Sequence, residues 1–188
     1  VITLGDYNQN LTGSTTPLAE LNVKKSINII NPLTVKYRSN NEAINNLSDF
    51  FEHTNNKVNK VSGTATDKLG ISGIQGTAVT NNFGELINQL KVDGDNTSKV
   101  VIIASYIPNE IEAWKKQFRE LNVNVDVLST AEAQGITVER VYTIGPSKHD
   151  HYSNTSVYTA ISRASQFSML YLPTATEFQN FNNPSDAE

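Results

Sequence analysis

Hydrophobic positions in the second half of the chain alternate between β-branched runs and faces with helical spacing. Lys99–Ser105 is a continuous β-branched run, which favours a strand covered on both faces, and Val138–Ile144 is a second β-branched segment. Asn109–Leu121 and Ser153–Ala164 instead carry apolar residues at the three- and four-residue spacing of one helix face. Strands that alternate with helices predict βαβ units, and therefore a parallel sheet flanked by helices.

The same patterns predict further elements on both sides of this region. Strands are predicted at Val1–Leu4, Val123–Leu128 and Phe167–Leu172, and helices at Asn41–His53, Phe83–Leu90 and, as a short piece, Ala131–Gln134. The predicted core faces of the helices are Ile44, Leu47, Phe50, Phe51, Leu86, Ile87, Leu90, Ile111, Trp114, Phe118, Leu121, Val157, Ile161 and Ala164. Residues 55–98 are less regular, and we interpret them as an insertion or an accessory hairpin within the domain.

The composition permits one α/β domain and excludes several kinds of site. The chain has 188 residues, which is enough for a single domain with a substantial core. It contains no cysteine, so a disulfide framework and a thiolate metal site are excluded. Three histidines cannot close a zinc site without carboxylates, and His149 and His151 lie in a polar loop that is typical of exposed side chains. We therefore predict no metal site.

The charge and the hydropathy of the chain bear on whether it binds nucleic acid or a membrane. The formal net charge is −4, whereas a self-sufficient nucleic-acid-binding domain usually presents a basic face. The cluster Lys115–Arg119 is interpreted as a solvated outer helix face. The longest apolar runs are about half a membrane span and no signal peptide is visible, which predicts a cytoplasmic protein with no membrane partner. The apolar start at Val1 indicates a piece of a longer protein.

Several well-defined catalytic motifs are absent from the chain. No phosphate-binding loop of the form G-x-x-x-x-G-K-[ST] occurs, and neither a G-x-S-x-G nucleophile turn nor an H-E-x-x-H zinc motif is present. The chain therefore carries none of these phosphate-binding, nucleophile or zinc motifs. Whether it belongs to an enzyme is therefore left open at this point.

Four segments, in order, resemble the later motifs of superfamily 1 helicases of the UvrD, RecD and TraI kind. Gly5–Gln9 (GDYNQ) resembles motif III, and Val35–Ile44 (VKYRSNNEAI) resembles motif IV. Ser129–Val141 (STAEAQGITVERV) resembles motif V, and Val157–Ser165 (VYTAISRAS) resembles motif VI. Each segment alone is a weak signal, but their joint order and their strand and helix context are specific. The resemblance implies a RecA-like fold, the second domain of a helicase core.

The resemblance also implies roles for individual residues. Arg163 and Arg38 would act as arginine fingers, and Gln9 would sense the γ-phosphate of ATP. A permanently charged, planar guanidinium suits the neutralisation of a transferred phosphoryl group. Other implied contacts are to the nucleotide, from Gln134, Gly135, Thr137 and Asp6, and to a nucleic-acid phosphate, from Ser129 and Thr130. The implied cofactors are ATP and Mg²⁺, bound mostly by a first domain upstream. Because the phosphate-binding loop and the magnesium-binding carboxylate pair of that domain are absent from this chain, the chain by itself is not expected to hydrolyse ATP.

Two departures from the family pattern refine the comparison. The family often has a histidine four residues before the motif V glycine, where this chain has Ala131. Many UvrD-like members have a glutamate two residues after that glycine, where this chain has Thr137, as in the RecD and TraI branch. That branch commonly moves in the 5′ to 3′ direction, although one threonine does not determine polarity.

These observations support one main interpretation and two alternatives. Residues 1–16 would end a first RecA-like domain, 17–182 would form the second, and 183–188 would be a tail. The domain would supply arginine fingers and strand contacts for ATP-driven translocation along single-stranded nucleic acid, with DNA favoured over RNA. The first alternative is a vestigial, non-catalytic RecA-like domain that binds single-stranded nucleic acid or a partner protein. The second is a Rossmann-like domain of unknown ligand.

Overall fold

A computed structural model describes residues 35–36, 41–51, 63–64, 76–92, 98–147 and 151–173. The first part contains β1 (Val35–Lys36), α1 (Glu42–Phe50), β2 (Gly63–Thr64), β3 (Thr77–Thr80) and α2 (Phe83–Val92). The second part contains β4 (Lys99–Ile103), α3 (Pro108–Glu120), β5 (Asp126–Ser129), β6 (Val138–Ile144), α4 (His151–Ile161) and β7 (Ala164–Tyr171). Asp6, Gln9 and Arg38, and the predicted strand Val1–Leu4, lie outside the described residues.

The main sheet has five strands in the order β3-β7-β6-β4-β5. Every neighbouring pair in it is parallel. Val141 of β6, for example, is level with Val100 of β4 on one side and with Ser168 of β7 on the other. The prediction of an α/β fold with a parallel sheet flanked by helices is confirmed, and the arrangement is that of a RecA-like domain.

Each face of the sheet is covered by its own hydrophobic cluster. On one face, α1 and α4 pack through Ile44, Val157 and Ile161 against Val141 and Leu170. On the other face, α2 and α3 pack against the alternate residues of the same strands. The residues of this second cluster include Leu86, Leu90, Val101, Ile103, Phe118, Tyr142, Ile144 and Met169. Burial on both faces explains why β4 reads as an uninterrupted apolar run.

The helix faces predicted from the spacing of apolar residues are largely confirmed, with one error. Ile44, Leu86 and Leu90 are buried, as expected. The prediction that Leu121 belongs to the core face is wrong, because Leu121 is 39% exposed and is the cap residue just after α3. The spacing continued past the helix end, and periodicity alone does not locate where a helix stops.

Several predicted elements differ from the structure in type or in their bounds. Residues 131–134 form hydrogen-bonded turns rather than a helix, although the amide of Ala133 donates to the carbonyl of Ser129 over 3.0 Å. α4 ends at Ile161, not at Ala164, and β7 starts at Ala164 rather than at Phe167. The polar residues between these elements therefore form a tight turn, and the strand begins directly after it.

The segment 55–98 contributes to the domain itself. β3 pairs with β7 at the edge of the main sheet, and α2 buries Leu86, Ile87 and Leu90 against it. β2 pairs with β1 in parallel, not as a hairpin. The described residues 76–92 are thus an integral part of the α/β layers and are not accessory to them. Within the described residues, no helix is long and apolar enough to span a membrane.

The aromatic cluster on the α3 face allows a direct stability test. Phe118 is 1% exposed, and its ring lies 5.9 Å from that of Phe83, centroid to centroid. Replacing a buried phenylalanine by alanine leaves a cavity, so we expect Phe118→Ala to lower the free energy of unfolding by about 3–5 kcal/mol in urea titrations. The matched control is Val92→Ala at a position that is 77% exposed, and it should change stability by less than about 0.5 kcal/mol. Equal effects of the two variants would contradict this packing.

Candidate functional site

The strands of the main sheet all start at one end and finish at the other. β4, β6 and β7 start at Lys99, Val138 and Ala164, which we call the amino-terminal end of the sheet. The opposite side is called the carboxyl-terminal end. In open α/β sheets, ligands commonly bind in the crevice beyond the carboxyl ends of the strands. The predicted site residues that the structure describes lie at both ends.

The segment 130–137 connects the two ends. β5 finishes at Ser129, and β6 starts at Val138 in parallel to its neighbour β4, so this segment runs back along the whole sheet. Consequently Ser129 and Thr130 lie at the carboxyl-terminal end, whereas Thr137 lies at the amino-terminal end. The residues predicted from the motif V resemblance are thus divided between two separate locations.

Arg163 lies at the amino-terminal end, next to this segment. It follows α4 in a turn, and its carbonyl oxygen accepts a hydrogen bond from the amide of Val138 over 3.1 Å. The hydroxyl of Ser165 donates to the carbonyl of Val138 over 3.2 Å, which ties the same two segments a second time. Thr137 and Arg163, predicted to contact one nucleotide, are therefore neighbours along the starts of β6 and β7.

The side chain of Arg163 is buried in this structure. It is 1% exposed, its Nε donates to the carbonyl of Thr159 over 3.1 Å, and its Nη2 donates to the hydroxyl of Ser162 over 3.0 Å. These bonds hold the guanidinium against the last turn of α4. A buried guanidinium requires such hydrogen bonds, because its desolvation is costly.

Among the described residues, the others predicted to contact the nucleotide are exposed. Gln134, Gly135 and Thr137 all face solvent. Gly135 has a φ of 92°, in the region that glycine favours over other residues, while an added Cβ there would meet nothing within 4 Å. The tight turn expected at this glycine is confirmed. The position favours glycine because of its backbone angle and not because of crowding.

A cavity of about 610 Å³ opens beside this segment. Its apolar wall includes Val100, Leu128, Ile136 and Val138, and its rim includes Lys99, whose ammonium donates to the carbonyl of Leu90 over 3.0 Å. The cavity lies at the starts of β4, β5 and β6, on the face that carries α1 and α4. The amino-terminal end therefore combines a concave apolar wall with exposed polar groups.

At the carboxyl-terminal end, Ser129 and Thr130 are buried and already hydrogen-bonded. The amide of Ser129 donates to Glu132 Oε2 over 2.7 Å, and its hydroxyl donates to the same oxygen over 2.9 Å. The hydroxyl of Thr130 donates to the carbonyl of Ile103 over 3.2 Å. In this structure the hydroxyl of Thr130 is therefore bonded to a backbone carbonyl, and that of Ser129 to a carboxylate.

Lys115 and Glu132 were not among the predicted site residues. Lys115 Nζ lies 2.8 Å from Glu132 Oε2, and the lysine side chain is only 18% exposed. The interpretation of Lys115 as part of a solvated outer helix face is therefore wrong. The spacing Ser129-x-x-Glu132 is a capping-box pattern and is the signal that could have identified the glutamate.

Hydrogen bonds from Lys115 and from the amide and hydroxyl of Ser129 lower the pKa of Glu132 from 4.5 to about 2. Three donors that converge on one carboxylate favour its ionised form. The largest contribution comes from Lys115. The group is therefore a permanent anion at neutral pH, held at the end of β5.

The same arrangement recurs at the ends of β3 and β4. Thr80 donates its hydroxyl to Glu85, and Ser105 donates its hydroxyl to Glu110 over 2.5 Å. Glu110 also accepts a hydrogen bond from the amide of Ser147 over 3.2 Å. It thus links the chain that follows β4 to the loop that follows β6. These two strands are adjacent, but β4 connects onward to β5 on one side of the sheet and β6 to β7 on the other. In α/β proteins that switch point is a common ligand site, and here a carboxylate occupies it.

Tyr158, within the segment 157–165, has a plain structural role. It is 5% exposed and belongs to the core beneath α1. Among the described residues, no group of three or more His, Asp or Glu side chains is arranged to hold a metal ion.

Comparison with known proteins is informative only about the fold. No family model matches this chain, and no curated protein matches it. Among solved structures, it is similar to one described as the crystal structure of the C-terminal domain of a possible DNA helicase from Lactobacillus plantarum WCFS1. The two share 19% identity, with a TM-score of 0.42 over 53% of this chain and 74% of that chain. A similarity this distant carries no argument about function.

The lowered pKa of Glu132 predicts a pH-dependent contribution to stability. Because the pKa is about 2 in the folded state against an ordinary 4.5, ionised Glu132 stabilises the fold above pH 4.5, and this contribution disappears as the pH falls toward 2. We expect Glu132→Gln to lower the free energy of unfolding at pH 7 by about 1 kcal/mol or less, since the half-exposed pair is screened.

Urea titrations at pH 7 and near pH 2 would measure this difference. Glu120→Gln is the matched control, because Glu120 pairs with Lys116 at 3.8 Å with both side chains largely exposed, and its effect should be smaller at every pH. A Glu132→Gln effect that persists unchanged at low pH would show that the carboxylate charge is not responsible.

Proposed function

We propose that this chain is the second RecA-like motor domain of an ATP-dependent superfamily 1 helicase. The observation that carries the proposal is the meeting of two motif-bearing segments at one end of a parallel sheet. Thr137 and Arg163 are far apart in sequence, yet the hydrogen bond from Val138 to the carbonyl of Arg163 joins their segments. Such a meeting is required if both segments face one nucleotide in a cleft between two domains.

The groups at the amino-terminal end fit one side of a nucleotide site. Gln134 and Thr137 are exposed amide and hydroxyl groups, and the open space around Gly135 leaves room for a ligand to approach the backbone. ATP with Mg²⁺ supplies the phosphoryl group whose transfer drives movement. The phosphate cradle and the magnesium ligands would belong to a first RecA-like domain, because this chain carries neither.

In this proposal, Arg163 acts on the phosphates only after domain closure. Its guanidinium is bonded to the carbonyl of Thr159 and the hydroxyl of Ser162, so it must exchange these bonds for phosphate oxygens. A charge-assisted bond to phosphate is stronger than one to a neutral acceptor, which favours the exchange once the phosphates arrive. Closure of two domains around a ligand is an established way to complete a catalytic site. Arg38 and Gln9 would complete the set of catalytic residues.

Single-stranded nucleic acid, with DNA favoured over RNA, is the proposed track, and it would cross the carboxyl-terminal end near Ser129. ATP-driven opening and closing of the cleft would then move the strand past the domain. Separation of nucleotide and strand on opposite ends of one sheet allows both to be held at once. The segment 130–137, which touches both ends, is the physical connection between them.

A second candidate function is a non-catalytic RecA-like domain that docks on single-stranded nucleic acid or on a partner protein. The observation in its favour is the row of carboxylates, Glu85, Glu110 and Glu132, that occupies the strand-end hydroxyls. With a net charge of −4, such a surface suits a protein partner at least as well as a phosphate backbone. The loss of turnover in the variant described next separates the two candidates.

The arginine-finger role predicts a large kinetic effect. In the intact polypeptide that joins this chain to a phosphate-binding loop, Arg163→Ala should lower nucleic-acid-stimulated ATP turnover by on the order of 10³-fold or more. Arg163→Lys should also be strongly impaired, because a lysine lacks the planar fork of donors. The measurement is steady-state release of phosphate at saturating ATP.

Controls separate catalysis from folding in this experiment. Arg119→Ala removes an exposed arginine from α3 and should leave turnover unchanged. Thermal melting of each variant tests whether loss of the buried Arg163 unfolds the domain. If the alanine variant unfolds, the lysine variant, which keeps the positive charge, takes its place. Near-normal turnover in a folded Arg163→Ala protein would exclude the arginine-finger role.

The track assignment predicts weak, salt-dependent binding by the 188-residue chain. We expect its affinity for a labelled single-stranded oligonucleotide, followed by fluorescence anisotropy, to fall by about tenfold or more between roughly 50 and 200 mM salt, as phosphate contacts release counterions. A tight complex that is insensitive to salt would contradict this prediction, as would complete absence of binding at low salt.

A further inference from the structure

Three donors at the end of β5 converge on one carboxylate. The amide and the hydroxyl of Ser129 lie 2.7 Å and 2.9 Å from Glu132 Oε2. Lys115 Nζ lies 2.8 Å from the same oxygen and 3.0 Å from Oε1. A backbone amide, a hydroxyl and an ammonium around one oxyanion are the elements of an anion-binding site. We call Lys115 and Ser129 the clamp.

Ser129 and Lys115 lie on a strand and on a helix, whereas Glu132 lies in a turn. Ser129 is 8% exposed and ends a strand of the main sheet, and the side chain of Lys115 is 18% exposed on α3. The side chain of Glu132 is 50% exposed, in a turn outside any helix or strand. Rotation of the Glu132 side chain into solvent would therefore vacate the clamp without movement of the sheet or of α3.

We propose that the clamp of Lys115 and Ser129 is a phosphate-binding site for single-stranded nucleic acid, and that Glu132 fills it until a phosphate of the strand displaces it. This inference rests on the proposed function, since that function supplies the strand. It adds two residues that the motif resemblance does not include, namely Lys115 as the cation and Glu132 as the competing anion.

The competition has a definite physical consequence. A phosphodiester that enters the clamp gains Lys115 but must first separate it from Glu132, so the net gain is the difference between two ion pairs. The released carboxylate, whose ordinary pKa is 4.5, stays ionised at neutral pH and repels the neighbouring phosphates. Glu132 thus weakens binding and makes the chain selective for strands that present a phosphate at this position.

The test uses the 188-residue chain and four variants with a labelled single-stranded oligonucleotide. Glu132→Gln keeps the shape of the side chain but removes the competing charge. Lys115→Ala, alone and combined with Glu132→Gln, removes the cation. Glu120→Gln removes a similar charge from the other lysine–glutamate pair involving α3, away from the clamp. Thermal melting confirms that each variant is folded before its affinity is compared.

The clamp predicts an ordered set of affinities. Glu132→Gln should bind about fivefold more tightly than the unaltered chain, the size expected for loss of one partly exposed competing ion pair. Its salt dependence should steepen by about 0.7 in the slope of log affinity against log salt, which corresponds to one more phosphate contact on a single strand. The double variant should lose both gains, and Glu120→Gln should leave the slope unchanged.

Other outcomes identify which statement fails. If the unaltered chain binds the strand but Glu132→Gln behaves like Glu120→Gln, the clamp is overturned while the proposed function stands. If neither the chain nor Glu132→Gln binds at low salt, both are overturned. Phosphorus NMR with inorganic phosphate separates the two phosphate sources. A gain for inorganic phosphate without a gain for the oligonucleotide would overturn the assignment to nucleic acid.

Discussion

The burial of β6 between two parallel neighbours is the constraint on which the rest of this domain depends. β6 pairs with β4 on one side and β7 on the other, and its last four residues are buried on both faces. A parallel pair cannot be closed by a tight turn, so every strand must be reached by a crossover that returns along the sheet. Gly145, where an added Cβ would meet the carbonyl oxygen of Tyr171 at 2.8 Å, shows how closely β6 and β7 finish together.

This constraint distributes the functional groups. The crossover from β5 to β6 carries Ser129 at one end of the sheet and Thr137 at the other, and α4 returns the chain so that Arg163 meets Val138. The two ends consequently differ in chemistry. The amino-terminal end holds a guanidinium, exposed polar groups and a cavity with a partly apolar wall, whereas at the carboxyl-terminal end hydroxyl groups at or just after the ends of β3, β4 and β5 donate to carboxylates. Such a division suits the proposed function, in which a nucleotide and a strand are held at opposite ends of the sheet.

Local hydrophobic patterns were sufficient to predict most of the helices and strands. β4 was recognisable because a strand covered on both faces has few polar residues, and α2 because Leu86, Ile87 and Leu90 repeat at helical spacing. The errors in the predicted helices occurred near helix ends and in one segment too short to form a helix. Leu121 continues an apolar spacing beyond the last turn of α3, and Ala131–Gln134 has helical composition but too few residues to propagate a helix.

The sequence by itself determined the fold class, most of the core and the residues for which a nucleotide or strand contact is proposed, because these depend on periodicity and on the order of short motifs. Only the tertiary structure decided what those residues touch. Arg163 is buried and bonded to the carbonyl of Thr159, and Ser129 is bonded to Glu132, which also pairs with Lys115 of α3. A contact between residues that are distant along the chain depends on how the layers pack, and no local pattern encodes it.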